Sequence, residues 1–517
     1  MVQREIARRI NMEVSYYDLS GGINMALTKT ELGLDTKKLY WTDLENIEIL
    51  QNRGIVKQKG NTLFLELPDG ETITGLCEMK HDKLLKLVIT TASGKIYIYN
   101  QTTKNLQLLE KTINGQMPVF AKFLDGVLIS SKSDSLFYIK NNDTNDVEEC
   151  NLKDSEGNPV YSNVIGIYKG RVWVADNSTI YYSALGTYND FTTEGDAGYI
   201  RNFHTNTDTI TALYTYKDYL AIYKKNAVYL LTGISDEDFA VTQFADKGAL
   251  SSRGIVNVEN KQYFLSSGIF ALEQVGELNQ IQLGSEISRN INPEFDNFNK
   301  SSMDNAFALH YETKNQVWFF FPYTDDNYFH TIWINDYVNK SWYKRKIPQD
   351  ITTACIFDDY LLTADTEGKI YREDYGTTFN GTPVSFMWKS PFLALTSAHK
   401  RKIIDEFYFI LDASYDNDFN FSVYKDYDSE YADDSEKIYA IHYEHLIWAN
   451  DDTSESLPCH WAKDDESFPI WSISSDTLEK VEISESNYSI QLCIEGTEQT
   501  NSCAIIGLQF REIYNDD

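Results

Sequence analysis

One hairpin pattern recurs about seven times along this chain and constrains its fold more than any other feature. Each copy has an apolar strand, a short polar turn, a strand that ends in an aromatic residue, a second turn and a tyrosine-bearing strand. Apolar residues mark the strand before each hairpin at separations of about 45 to 52 residues, close to the length of a four-stranded propeller blade. The markers are Val119, Val164, Ile210, Ile255, Phe307 and Ala354.

A single blade of this kind leaves both faces of its sheet exposed, so several blades must stack around an axis to bury their side chains. The chain has 35 tyrosines and 27 phenylalanines against 10 prolines, which favours sheet over helix. We therefore predict an all-β protein with a six- or seven-bladed β-propeller over residues 61–375. The aromatic residues expected between its blades are Trp173, Tyr181, Tyr219, Tyr229, Phe264, Phe270, Trp318 and Tyr371.

The period is lost on both sides of this region. Residues 1–60 contain the string GGIN, from Gly21 to Asn24, and a helix-like spacing around Trp41 to Leu50. They are predicted to form an N-terminal arm that leads into the first blade. Residues 376–517 contain long alternating segments such as Ile403 to Leu411, which predict a second domain with the fold of an antiparallel β-sandwich.

Composition narrows the compartment and the partners of the chain. No apolar run approaches the roughly 18 residues of a membrane span, and charges interrupt the first residues where a signal peptide needs an apolar core. These features predict a soluble cytoplasmic protein without stable membrane insertion. The 6 cysteines contain no CxxC pair, which favours reduced thiols over a disulfide framework. The net charge of −31 disfavours ordinary DNA binding but is compatible with DNA passage.

Two groups of residues could in principle hold a metal ion, although we predict none. Imidazole and thiolate are zinc ligands, but residues three apart on a strand point to opposite faces of the sheet, which argues against a zinc site. The candidate zinc ligands are His442, His445, Cys459 and His460. Carboxylate runs could bind calcium, yet none has EF-hand spacing, and solvated acidic loops explain them better. These runs are Asp416 to Asp418, Asp426 to Glu430 and Asp433 to Glu436.

No constellation of residues predicts catalysis, and we expect no cofactor. The sequence has no GxSxG, HExxH, phosphate-loop or dinucleotide fingerprint in the strand and helix context that each requires. Carboxylates are too numerous for a glycosidase pair to stand out. Two basic clusters, HKRK at His399 to Lys402 and WYKRK at Trp342 to Lys346, interrupt the acidic chain. They either solvate a face or contact the acidic loops of a neighbouring subunit.

Several segments of the chain resemble, in the same order, the tail hub or nozzle proteins of short-tailed bacteriophages, also described as DNA-stabilisation proteins. The most specific match is KGALSSRGIVNVENKQYFLSSGIFAL, from Lys247 to Leu272, which combines a glycine, a serine-rich turn, an aromatic strand and a second hairpin. The resemblance extends over most of the chain. Its other parts are GGIN from Gly21, NRGIVKQKGN from Asn52, and the segments Arg171 to Phe191, Leu283 to Ile291, Trp333 to Arg345, Gly368 to Pro391 and His399 to Phe409.

This resemblance implies a structural virion protein and not an enzyme. Members of such a family form a homo-oligomeric ring, expected here to contain six copies, below the portal and adaptor and in contact with other tail proteins. The ring lines the exit channel and helps to retain and eject the genome, and DNA passes through it without sequence-specific binding. The resemblance thus implies assembly in the host cytoplasm and localisation in the virion tail.

Two other functions remain open for a propeller of this kind. A carbohydrate-binding or glycoside-cleaving propeller would carry an aromatic and acidic pocket at its mouth. A cytoplasmic interaction propeller of the WD type would carry the GH and WD dipeptides that mark such blades, and this sequence lacks them. The carbohydrate function is therefore the main alternative to the phage tail ring.

Overall fold

A computed structural model describes most of the chain, which divides into two compact units. The propeller unit comprises Lys59–Val338 and Arg345–Asn380, and the sandwich unit comprises Met1–Gln58, Asn339–Lys344 and Gly381–Asp517. The residues that the structure describes are 12–34, 37–114, 117–150, 152–154, 156–201, 208–276, 280–395, 397–412, 415, 417–428, 434–438, 447–449, 460–462 and 476–515.

The propeller unit is built from seven consecutive antiparallel sheets, the upper of the two blade numbers that the sequence predicts. Blades 1 to 5 are simple four-stranded meanders, in which each strand pairs with the next strand along the chain. Their strands are Ile73–His81, Leu84–Thr91, Ile96–Asn100 and Asn105–Leu108; Val119–Phe123, Gly126–Ser131, Asp134–Lys140 and Val147–Cys150; Ile165–Tyr168, Arg171–Asp176, Thr179–Tyr182 and Gly198–Ile200; Ile210–Tyr216, Tyr219–Lys224, Val228–Thr232 and Ala240–Ala245; Ile255–Val258, Lys261–Leu265, Ile269–Val275 and Gln280–Leu283.

Blade 6 is again built from consecutive strands, whereas blade 7 closes the ring with a strand that is distant in sequence. Blade 6 contains Phe307–Tyr311, Gln316–Phe320 and Thr331–Asp336; the next strand, Ser341–Lys346, gives residues 341–344 to the sandwich unit and Arg345 and Lys346 to the propeller unit. Blade 7 contains Ile351–Phe357, Tyr360–Asp365 and Lys369–Glu373, and its fourth strand is Asn61–Glu66, which precedes blade 1. The first strand of blade 7 packs against the first strand of blade 1, so the ring is closed.

Tight turns explain why the hairpins form where the sequence predicts them. Two-residue turns join the first two strands of most blades, and their first residue has the left-handed conformation that hairpin turns of this length require. In blade 3 the turn is Lys169-Gly170, with φ of 46° and 72°, and in blade 7 it is Asp358-Asp359, with φ of 49° and 63°. Short polar pairs therefore fix the register of each hairpin.

Neighbouring blades are joined by apolar cores and by repeated tyrosine hydrogen bonds. The core between blades 3 and 4 contains Trp173, Leu220 and Tyr229, and all the aromatic residues predicted to lie between blades are buried except Tyr219, which is partly buried. The Tyr168 hydroxyl donates to Asp218 O in the next blade at 2.7 Å, and the Tyr216 hydroxyl donates one blade further on to Asn260 O at 2.6 Å.

The sandwich unit contains two sheets whose aromatic side chains interlock. Phe409 of one sheet packs edge-on against Phe419 and Phe421 of the other, with ring centroids 5.5 and 5.0 Å apart. Among the described strands of this unit, the pairing is antiparallel except between Asp43–Glu45 and Ser341–Lys346. One sheet contains Met12–Tyr16, Ile47–Ile49, Ile55–Lys57, Lys402–Asp412, Asp476–Asn487 and Ala504–Asn515, and the other contains Asp43–Glu45, residues 341–344, Phe386–Lys389, Phe419–Lys425, Asp434–Ile438 and Ile490–Gly496.

The N-terminal segment supplies strands to both of these sheets. The helix-like spacing around Trp41 to Leu50 is a wrong prediction, because the segment forms two three-residue strands, Asp43–Glu45 and Ile47–Ile49. Helix is confined to short pieces, and no helix in the described part of the chain is long and apolar enough to cross a membrane. The remaining elements are the α-helix Lys29–Leu32, the 3-10 helices Ser252–Gly254, Ile287–Asp296, Met303–Asn305 and Glu312–Lys314, and the short strands Thr378–Phe379, Thr382–Pro383, Ile447–Ala449 and His460–Ala462.

Candidate functional site

The axis of the propeller is a narrow channel to which all seven blades contribute. A cavity of about 200 Å³ is lined by the first strand of every blade or by the residues just before it. The first strand of each blade lies closest to the axis, and we call these the inner strands. A wider cavity of about 520 Å³ lies where the inner strands begin, and we call it the channel mouth. Residues that line the channel mouth include Thr74, Met117, Lys132, Asn163, Thr209, Thr211, Ser251, Ser252, Arg253, Asp304 and Asn305.

Arg253 lies where the narrow cavity and the channel mouth meet, because it lines both. It belongs to the 3-10 turn Ser252–Gly254 that leads directly into the first strand of blade 5. Its guanidinium carbon is 4.6 Å from the ring centre of Phe307, and its Nη1 donates to Met117 Sδ at 2.7 Å. The side chain thus connects blade 5 to the start of blade 2 and to blade 6.

The electrostatic setting of Arg253 is unusual for a guanidinium. Burial lowers its pKa to about 10, so the group remains charged at neutral pH. Within the described ranges, no carboxylate forms an ion pair with it. A guanidinium has five N–H donors, and a thioether sulfur is a weak acceptor. Arg253 therefore has N–H donors without a partner among the described residues, and it lines both cavities.

The other polar groups of the channel mouth come from several blades and from the connections between them. Lys132 and Asp304 are exposed at its rim. As far as the chain is described, the side-chain amides of Asn163 and Asn305 make no hydrogen bond to the protein, and the buried Ser251 hydroxyl has no partner. The mouth therefore offers donors and acceptors to a small polar molecule.

A second arrangement of charges lies in blade 6 and in the connection to blade 7, near a cavity of about 290 Å³ to which Asp326 contributes. The imidazole of His330 bridges two carboxylates, with Nδ1 2.7 Å from Asp326 Oδ2 and Nε2 2.8 Å from Asp350 Oδ1. Since an ionised carboxylate only accepts hydrogen bonds, both ring nitrogens must carry a proton. Burial opposes this charge, but the two hydrogen bonds outweigh it and raise the pKa of His330.

This arrangement predicts that His330 and His310 titrate on opposite sides of the ordinary histidine pKa of about 6.5. Burial lowers the pKa of His310, whereas the two carboxylates raise that of His330. NMR titration of the histidine Cε1 signals should show both pKa shifts, and Asp326→Asn should lower the pKa of His330 only.

The same ion pairs predict a pH-dependent contribution of His330 to stability. A group whose pKa is raised in the folded state stabilises the fold below its unfolded pKa of about 6.5, and this stabilisation is lost as the pH rises through the folded-state pKa. The difference in melting temperature between the protein and His330→Gln should therefore shrink above neutral pH, and an unchanged difference would contradict the assignment.

The predicted metal candidates are only partly covered by the structure. His442, His445 and Cys459 lie outside the described residues, so the zinc site is not tested. In the acidic runs, the Asp426 carboxylate accepts hydrogen bonds from the backbone N–H groups of Tyr488 and Ser489 at 2.6 and 3.3 Å. Asp418 lies 3.4 Å from the Lys437 ammonium. No cluster of three or more metal-binding side chains occurs among the residues with described positions.

In the two basic clusters, His399, Lys400, Arg401 and Lys346 are exposed, which agrees with a solvated face, whereas the other cations have structural partners. A contact with the acidic loops of a neighbouring subunit stays a prediction. In HKRK, Lys402 is buried and its ammonium donates to the carbonyl oxygens of Ser397 and Tyr488 at 2.5 and 2.7 Å, and burial lowers its pKa to about 8. In WYKRK, Lys344 pairs with Asp43 at 2.6 Å and Arg345 is fully buried. These structural roles were not predicted, because carboxylates and carbonyl groups distant in sequence surround the cations and the local pattern does not reveal such partners.

Cysteine chemistry follows the prediction of reduced thiols. Cys77, Cys150, Cys355, Cys493 and Cys503 are buried and unpaired, and Cys459 lies outside the described residues. Burial raises the pKa of the Cys150 thiol to about 12. A buried thiol with a raised pKa is a poor nucleophile, because the thiolate is the reactive form.

Two glycines and the blade 5 segment, all in the parts of the chain that resemble tail proteins, have structural roles. A Cβ atom at Gly21 would lie 2.1 Å from Leu39 O, and Gly22 has φ of 69° with the Trp342 backbone directly above it. Both contacts lie within the sandwich unit, and only glycine fits such close approaches. The segment from Lys247 to Leu272 places Arg253 on the channel axis and then forms most of the first three strands of blade 5.

Comparisons with known proteins do not assign this chain to a family. No protein family model matches this sequence, and no curated protein matches it. Among solved structures, the chain is similar to the WD40 domain of Neurospora crassa Pan2, with 11% identity and a TM-score of 0.41 over 63% of this chain and 96% of that one. It is also similar to a chain of the Mitotic Checkpoint Complex, with 10% identity and a TM-score of 0.40 over 61% and 93% of the two chains. The propeller assignment rests on the strand pairing described above.

Sequence reasoning did not identify the channel mouth. Arg253 stands in the string SSRGIV, where a single arginine beside serines resembles an ordinary loop. The only local signal is its place directly before the marker Ile255, because residues just before an inner strand of a propeller face the axis. Met117 and Phe307 belong to other blades, so their contacts with Arg253 depend on the closed ring.

Proposed function

We propose that this chain is a structural protein of a bacteriophage tail, a hub or nozzle subunit that forms a ring below the portal and adaptor. The observation that carries this proposal is the role of the residues that resemble the family. Gly21, Gly22 and the blade 5 segment all serve to fix the backbone. A sequence resemblance that lies in residues with backbone-fixing roles is consistent with a structural protein.

The DNA path in such a ring must lie outside the propeller axis. The axial cavity, which Arg253 helps to line, is only about 200 Å³, the volume of a sphere about 7 Å across, whereas the major groove of a DNA duplex is by itself about 12 Å wide. DNA would therefore pass through the lumen enclosed by several copies. The net charge of −31 suits this role, because a negative wall forms no adhesive contacts with phosphates and lets the duplex slide.

A closed ring also explains how one fold can serve as a repeated unit. Head-to-tail contacts between identical copies close when the rotation between them is a whole fraction of a circle. We expect six copies, held by a portal and adaptor template in the virion tail after assembly in the host cytoplasm. The protein acts in this setting as a scaffold and not as an enzyme.

The proposal predicts that the mass of the assembled protein depends on the template. The purified chain should sediment as a monomer alone and should sediment in a defined multiple, expected to be six, when its portal complex is added. Bovine serum albumin of similar mass serves as the control for non-specific binding to the portal. A chain that stays monomeric with the complete portal and adaptor complex would contradict the proposal.

A carbohydrate function is the second candidate, and the polar channel mouth of about 520 Å³ favours it. Its volume falls within the range of roughly 300–1,000 Å³ that is common for small-molecule sites. A glycan array and a hydrolysis assay on the same preparation separate the two candidates. Glycan binding without assembly on the portal would favour the carbohydrate function.

A further inference from the structure

We infer that the channel mouth is a binding site for a small oxyanion, a carboxylate or phosphate group on a polar molecule, with Arg253 as its main contact. The inference is independent of the ring proposal, since the site lies within the propeller unit. It rests on a cavity, a cation without a carboxylate and several unpaired polar groups that converge on the same space.

Arg253 has the geometry of an anion receptor. Phe307 covers one side of the guanidinium at 4.6 Å, and Met117 holds Nη1 from a different blade, so the side chain is fixed before any ligand arrives. A fixed guanidinium binds a carboxylate or phosphate through paired N–H donors, and its loss of freedom on binding is small. No carboxylate of the described chain occupies these donors.

The surrounding groups complete the site and restrict the ligand. Ser251 has a buried hydroxyl without a partner, and the amides of Asn163 and Asn305 can donate to and accept from a polyhydroxylated body. The charged groups that face the cavity are Arg253, Lys132 and the opposing Asp304. One excess positive charge at the cavity suits a ligand with a single anionic group attached to a polar frame.

Calorimetric titration of the full chain with three probes tests this inference. Inorganic phosphate and glucuronate represent the phosphate and carboxylate forms of the oxyanion, and glucose is the neutral control. We expect saturable binding of phosphate, glucuronate or both, and no binding of glucose. The stronger of the two anions identifies the ligand class, whereas absence of saturable binding for both anions would overturn the inference.

Variants locate the binding to the channel mouth. Arg253→Met should weaken the affinity for the tighter-binding anion at least tenfold. Arg253→Lys should weaken this affinity less, because lysine keeps the positive charge but lacks the paired N–H donors of the guanidinium. Arg372→Met is the matched control, because Arg372 also stacks on a ring, at 3.6 Å from Tyr360, and lies in blade 7 outside the lining of the mouth. If Arg253→Met does not fold, the variant Lys132→Met at the exposed rim replaces it. This variant should weaken the affinity for the same anion about threefold or more. Equal affinity for all these variants would show an adventitious ion only and would refute the assignment.

Discussion

Replacement of Arg345 by methionine is expected to lower the free energy of unfolding by about 3–5 kcal/mol, because it leaves the buried Glu373 carboxylate without its counter-ion. Both side chains are completely buried, and Arg345 Nη2 lies 2.5 Å from Glu373 Oε2. The same guanidinium donates to Lys59 O and Gly60 O, directly before the strand that closes blade 7. Equilibrium denaturation with guanidinium chloride measures the effect.

The matched control for this prediction is Arg372→Met, which removes a partly exposed arginine of blade 7 and should cost at most about 1 kcal/mol. A double variant, Arg345→Met with Glu373→Leu, should recover part of the lost stability, since it removes the unpaired charge as well. If Glu373→Leu lowers the free energy of unfolding of the Arg345→Met protein further instead of raising it, the unpaired carboxylate is not the source of the effect. A loss below about 1 kcal/mol for Arg345→Met would contradict the prediction directly.

Replacement of Trp173 by alanine is expected to destabilise the propeller by about 3–5 kcal/mol, the usual cost of removing a large aromatic side chain from a core. Trp173 is fully buried between blades 3 and 4, with the rings of Tyr182 and Phe239 at 5.1 and 5.2 Å. Its indole N–H donates to Tyr168 O at 3.2 Å, so the substitution also removes this buried hydrogen bond. Thermal and chemical denaturation of the variant provide the measurement.

Tyr161→Ala is the matched control for Trp173→Ala. Tyr161 is also aromatic and precedes blade 3, but 45% of it is exposed. Its replacement should change the free energy of unfolding by no more than about 0.5 kcal/mol. Comparable losses for the two variants would show that the core between blades 3 and 4 does not govern the stability of the ring.

The blade repeat could be predicted from sequence because its determinants are local. Ile210, Ile255 and Phe307 begin the inner strands of their blades as the period indicates, and polar pairs such as Lys169-Gly170 form the turns. Strand alternation and turn chemistry act over a few residues, so the pattern remains visible in one sequence. The exact number of blades depended on the strand Asn61–Glu66, whose partner lies at the other end of the propeller sequence.

The remaining features depend on contacts between distant segments. Arg345 and Glu373 are 28 residues apart, and the string WYKRK contains no sign that its second cation is buried. The three-residue strand Asp43–Glu45 is too short to show alternation, and it forms only because longer strands flank it. Arg253 faces the axis through ring closure, so its significance could not be inferred from the residues beside it.

Electron cryomicroscopy of the chain assembled on its portal complex tests the proposed function most directly. We expect a closed ring of identical copies below the portal, with a lumen wide enough for duplex DNA and a wall lined mainly by aspartate and glutamate. Isolated copies bound at the periphery, or a lumen lined mainly by lysine and arginine, would contradict it.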